Sequence, residues 1–112
     1  MNPVTIRSLQ AYKSQQQTFA VITAYDATLA QLAADAGIEA LLVGDSLGMV
    51  LQGQDSTLPV TLADMVYHTR CVTTGNRRAQ RPALIMTDLP FMSYGTLEQG
   101  RNRAFQSVLI WD

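Results

Sequence analysis

Short apolar runs alternate with helical spacings along this chain. Phe19 to Thr23 is an apolar, β-branched run bounded by polar residues, which predicts a buried strand. Leu29, Leu32, Ala33 and Ala36 then recur at i, i+3, i+4 and i+7, one face of a helix that Gly37 is placed to end. Ala40 to Val43 predicts a second buried strand ending at Gly44, and Ala83 to Thr87 a third. Between Asp45 and Val60 the chain is rich in Gly, Ser, Asp and Gln, a long connection with room for a small hairpin through Met49 to Leu51. Thr61 and Asp64 form a capping box that opens a second helix, in which Leu62, Met65, Val66 and Thr69 keep helical spacing and Gly75 is placed as the stop. Thr96 and Gln99 form another such box at the start of a third helix.

Apolar strands joined by helices predict an α/β fold of parallel βαβ units. Parallel strands point their carboxyl ends the same way, so the residues just after each strand belong to one edge. Ala24-Tyr25-Asp26 comes after the first, Gly44-Asp45-Ser46 after the second and Asp88-Leu89-Pro90 after the third. Three successive strands thus deliver an aspartate to the edge where parallel α/β proteins place their chemistry.

Composition narrows this picture. The 112 residues, 47% of them hydrophobic, with a net charge of −1, suit one folded domain rather than a disordered chain. A (β/α)8 barrel takes about 250 residues, so this chain is not expected to close one alone. Eight basic residues against nine acidic ones argue against bulk binding to nucleic acid or to a membrane surface. The polar stretch from Met1 to Gln17 has no apolar core of signal-peptide length, and a cytoplasmic protein is the expectation. The single cysteine, Cys71, has no disulfide partner and reads as a half-buried small hydrophobe rather than a nucleophile. Arg77, Arg78 and Arg81, close to Gly75, Asn76 and Pro82, read as a solvated loop.

No Lys or Arg lies between Ser14 and Thr69, whereas Asp26, Asp35, Glu39, Asp45, Asp55 and Asp64 all do. Asp26 stands immediately before a helix and reads as its cap. Asp45 and Asp88 do not obviously cap a helix, and two converging carboxylates repel unless a cation neutralises them. Hard oxygen ligands with room for water and substrate suit Mg²⁺, which often takes only one or two protein carboxylates. A competing motif overlaps: Gly44-Asp45-Ser46-Leu47-Gly48 fits the G-x-S-x-G elbow of serine hydrolases, with Ser46 as nucleophile. That elbow requires a helix directly after the serine, where Met49 to Gly53 reads as extended or looped. The only histidine, His68, falls mid-helix and reads as a surface or core-edge residue rather than a base.

Four stretches carry a family resemblance: Thr23-Ala24-Tyr25-Asp26, Leu42 to Met49, Gln52 to Thr61 and Asp88-Leu89-Pro90-Phe91-Met92. Together, in order between about Thr5 and Gln99, they resemble the ketopantoate hydroxymethyltransferase family. The resemblance implies a (β/α)8 TIM barrel assembled into a homodecamer. This chain, residues 1–112, would be the incomplete N-terminal part of one barrel domain, about its first three βα units. Residues 100–112 form a divergent tail, unlike the Ala-rich helix of the family and such as a truncated or frame-shifted end would leave. It also implies Mg²⁺-dependent transfer of a hydroxymethyl group from 5,10-methylenetetrahydrofolate to 3-methyl-2-oxobutanoate, giving 2-dehydropantoate for pantothenate synthesis. Asp45 and Asp88 match the Mg²⁺-binding aspartates, which also lie against the keto acid, and Ser46 matches the serine that contacts its carboxylate. The family's lysine, further glutamate and catalytic base belong to later strands, so the 112 residues are expected to be inactive alone. Two other readings remain beside it: a non-catalytic, self-associating barrel fragment with uncovered strand edges, and a serine hydrolase using Ser46.

Overall fold

The computed structural model describes residues 2–108. Among these, helices α1 (Ile6–Ser14), α2 (Ala27–Asp35), α3 (Leu47–Val50), α4 (Leu62–Arg77) and α5 (Leu97–Val108) are interspersed with strands β1 (Val21–Thr23), β2 (Ala40–Val43) and β3 (Leu84–Thr87). The strands form one parallel sheet in the order β1-β2-β3, so the mixed α/β class expected from the pattern is present. In register, Thr23 faces Leu42, and Val43 faces Thr87. Two bonds carry the ladders beyond the carboxyl ends of the strands: the Ala24 amide donates to the Leu42 carbonyl at 3.1 Å and the Asp88 amide to the Val43 carbonyl at 3.0 Å. No helix among the described residues is long and apolar enough to cross a membrane. The last four residues of the 100–112 tail lie outside the described residues, and α5 occupies the rest.

Several elements depart from expectation for physical reasons. Helix α1 was not visible in the pattern: it buries none of its residues, and its capping box is Thr5 with Ser8, a serine standing where glutamate or glutamine is usual. The expected hairpin at Met49 to Leu51 is instead the single turn α3 with its C-terminal cap. The first strand is shorter than Phe19 to Thr23 and is exposed throughout, because it is an edge strand with one ladder and nothing over its face. Strand β2, at the centre, is the one that is buried as expected. The carboxyl end of α2 agrees with expectation, with Gly37 at φ 96° just beyond it.

The face of α2 is the clearest reversal. Leu29 and Leu32 of the predicted stripe are 54% and 59% exposed, while Ala30 and Ala34 are buried. The stripe, with Ile22 and Ile38, lines an open apolar groove of about 370 Å³ beside β1. Small side chains are buried instead because α2 packs closely on α4. Gly75 lies inside α4, not at its end, and a Cβ there would sit 1.9 Å from the Ala27 carbonyl oxygen. The next residue, Asn76, is buried rather than looped out. Its amide accepts from the Ala83 nitrogen and donates to the Ala83 oxygen, both at 2.8 Å, tying the end of α4 to the start of β3. Arg77 and Arg78 are exposed as expected, although Arg77 is helical, and Arg81 donates to the Gly37 carbonyl at 3.2 Å.

The capping box at the start of α4 is formed as expected, with the Asp64 amide donating to Thr61 Oγ1 at 3.1 Å and the Thr61 amide to Asp64 Oδ2 at 3.0 Å. The Thr61 backbone bond holds the Asp64 carboxyl below its ordinary range, against partial burial that pushes it up, while the Gln52 and Thr61 side chains and His68 lower it further. Folding lowers this pKa, so the carboxylate adds stability above the ordinary value near 3.8, and that contribution is lost as pH falls through the lowered value. Asp64→Asn is therefore expected to melt below the unsubstituted protein at about pH 6 and to approach it at about pH 3. Parallel melting curves that keep a constant separation over that range would refute the assignment.

Candidate functional site

The sheet geometry brings the residues after the three strands to one edge. At the end of β2, Gly44, Asp45 and Ser46 lead directly into α3; at the end of β3, Asp88 begins the connection toward α5. Asp88 Oδ2 accepts from the Asp45 amide at 3.3 Å, so the two strand ends are joined through one of the aspartates proposed from the sequence. A Cβ on Gly44 would lie 3.3 Å from Asp88 Oδ2 and 3.4 Å from Ser46 Oγ, which places that glycine between the two side chains. Asp45, Ser46 and Asp88 are all half-buried.

The third aspartate does something else. Asp26 caps α2, accepting from the Leu29 amide through Oδ1 at 2.7 Å, as its position before the helix predicts. What β1 contributes to the edge is Tyr25, which is buried. Its hydroxyl lies 2.6 Å from Ser46 Oγ, and its backbone carbonyl accepts from His68 Nδ1 at 2.8 Å. A carbonyl has no proton to give, so the imidazole carries its hydrogen on Nδ1. Sequence reasoning noted Tyr25 without a role and read His68 as a bland helix residue. The available signal was spacing: His68 falls between Met65 and Thr69, both buried, so it shares the inward face of α4.

This arrangement bears on both chemistries weighed from the sequence. A helix does begin directly after Ser46, contrary to the extended reading, but α3 is a single turn. Ser46 pairs with the Tyr25 phenol, while His68 Nδ1 is engaged by the Tyr25 carbonyl, so the contacts seen are not those of a serine held by a base. For a cation, no group of three or more His, Cys, Asp or Glu side chains suited to a metal occurs among the described residues. Two aspartates at adjoining strand ends remain, a donor set that fits a hard ion such as Mg²⁺ completing its shell with water and substrate oxygens. Cys71 is half-buried and unpaired with any other cysteine, as expected.

Comparison with known proteins adds an independent finding. A family model described as ketopantoate hydroxymethyltransferase matches residues 3–109, running past Gln99 into the tail. Among curated proteins, 3-methyl-2-oxobutanoate hydroxymethyltransferase of Marinobacter nauticus is 55% identical over 101 residues, 90% of this chain and 37% of the relative. The protein of the same name from Baumannia cicadellinicola is 58% identical over 93% of this chain and 38% of its own length. That from Erwinia tasmaniensis is 60% identical over 88% of this chain and 36% of its own. The chain thus spans little more than a third of the length of the curated relatives it matches.

Proposed function

Because the chain belongs to the ketopantoate hydroxymethyltransferase family, a family of transferases, we propose that it forms part of a cytoplasmic enzyme of pantothenate synthesis. That enzyme transfers a hydroxymethyl group from 5,10-methylenetetrahydrofolate to 3-methyl-2-oxobutanoate, giving 2-dehydropantoate. Residues 1–112 supply about the first three βα units of a (β/α)8 barrel that assembles into a homo-oligomer, a decamer by resemblance to the family. The observation that supports this reading is the contact between Asp88 and the Asp45 amide, at the edge where parallel α/β proteins commonly hold substrates. The apolar groove between α2 and the edge of β1 supports the barrel, since further units would cover Ile22, Leu29, Leu32 and Ile38.

In this reading Asp45 and Asp88 hold Mg²⁺ and Ser46 binds the keto acid's carboxylate. When bound, the ion supplies the Lewis acidity that makes the carbon beside the ketone acidic enough to lose a proton. Asp45 and Asp88 would hold that ion, their carboxylates supplying the negative charge it needs. Ser46 donates its hydroxyl hydrogen to the carboxylate, fixing the acid by the end away from the reacting carbon. Gly44, lacking a Cβ, lets the Ser46 and Asp88 side chains approach its backbone closely. The base that takes the proton is not among these residues.

The test is an assay of 2-dehydropantoate formation, with and without Mg²⁺ and the folate. The full-length enzyme carrying this segment is expected to be active with both present. The isolated 112 residues are expected to be inactive and to self-associate in sizing chromatography through the uncovered faces of β1 and α2. Turnover by the isolated chain, or full-length turnover indifferent to the folate, would overturn the reading.

A further inference from the structure

The Tyr25 phenol has no part in the proposed function, although its contact with Ser46 is a short one, 2.6 Å between oxygens. Each hydroxyl has one proton and can either donate or accept. A phenolic O–H is a better hydrogen-bond donor than an alkyl one, so the favoured direction is from Tyr25 to Ser46 Oγ. The serine's own proton is then left to point elsewhere. Along the same edge lies Gly44, whose missing Cβ would stand 3.4 Å from Ser46 Oγ and 3.3 Å from Asp88 Oδ2. Tyr25 is itself fixed at its other end, where His68 of α4 donates from Nδ1 to its carbonyl at 2.8 Å across 43 residues of sequence. Burial of the tyrosine removes competing water from the phenol.

We propose that Tyr25 is a positioning residue: its phenol donates to Ser46 Oγ and orients the serine proton toward a substrate carboxylate, while His68 holds Tyr25 in place. A serine rotor accepting from one side has fewer orientations to lose when it donates to an anion on the other, and a chain of two hydroxyls polarises in the direction of the negative charge. The proposal rests on the assignment of Ser46 to the keto acid's carboxylate.

The test is a double-mutant cycle in the full-length enzyme carrying this segment. Tyr25→Phe keeps the buried ring and removes only the hydroxyl. It is expected to raise the KM for 3-methyl-2-oxobutanoate about five- to tenfold, with kcat within about twofold and the folate KM unchanged. Calorimetric titration with 3-methyl-2-oxobutanoate should show the same loss of affinity. Ser46→Ala is expected to raise that KM at least as much, and adding Tyr25→Phe to it should change nothing further, because no hydroxyl remains to be oriented. A Tyr25→Phe factor that persists in the Ser46→Ala background overturns the proposal and leaves the Ser46 assignment standing. A keto-acid KM unmoved by Ser46→Ala overturns both. Should Tyr25→Phe fail to fold, His68→Leu, which releases the Tyr25 carbonyl, is expected to raise the same KM about threefold, and only when Ser46 is present; its failure to do so overturns the proposal.

Discussion

Gly75→Ala is expected to destabilise the protein by about 3 kcal/mol, lowering its melting temperature by about 10 °C. In an ordinary helix interior this exchange stabilises by roughly 1 kcal/mol, since alanine loses less backbone freedom than glycine. Here the new methyl carbon would stand 1.9 Å from the Ala27 oxygen, 2.6 Å from its carbonyl carbon and 2.7 Å from its Cα, where ordinary contact begins at 3.4 Å. All three atoms are backbone, so no rotamer change relieves the overlap and the first turn of α2 has to move away from α4. Ala27 directly follows Asp26 and Tyr25, and that movement is transmitted to the capping bond at Leu29 and to the Tyr25–Ser46 pair. The variant is accordingly expected to lose keto-acid affinity along with stability. A melting temperature equal to or above that of the unsubstituted protein would show that α2 and α4 do not approach this closely.

The same contact explains where the sequence was legible and where it was not. Periodicity located α2, α4, β2 and β3, because each has a local signal: a capping residue, a run of apolar side chains, a glycine stop. It misassigned the buried face of α2, since Leu29 and Leu32 are more apolar than Ala30 and Ala34 and nothing local says that α2 packs closely on α4. Gly75 carried the same ambiguity, as a glycine near a helix end reads as a stop unless its partner across the helix pair is known. Helix α1 has neither a buried stripe nor a carboxylate in its capping box, which leaves little for a pattern to register. At the site, Asp45 and Asp88 could be placed together because parallel strands send all their carboxyl ends to one edge. Tyr25 and His68 could not, because nothing local marks which side chain after β1 turns toward Ser46, and the His68 bond depends on how α4 is set against the sheet.

Asp88→Asn should have the largest effect on turnover, and it separates charge from shape. The amide oxygen of asparagine can still accept from the Asp45 nitrogen, now bonded at 3.3 Å to Asp88 Oδ2, so the two strand ends stay joined. What would be lost is one of the two negative charges that the proposed function assigns to holding Mg²⁺. Residues that only support a metal's ligands commonly change its affinity by about 10- to 100-fold when replaced, and removing a ligand charge outright is expected to exceed about 100-fold. In the full-length enzyme, Mg²⁺ affinity by calorimetry and turnover should fall together, with melting in the absence of Mg²⁺ unchanged or slightly higher, because one of two neighbouring like charges is gone. Asp26→Asn serves as the control, since asparagine caps a helix about as well as aspartate. It is expected to leave Mg²⁺ affinity intact although Asp26 also follows a strand of this sheet. Equal effects of the two substitutions, or unchanged affinity in Asp88→Asn, would remove Asp88 from the metal site and leave its bond to the Asp45 amide as its whole role.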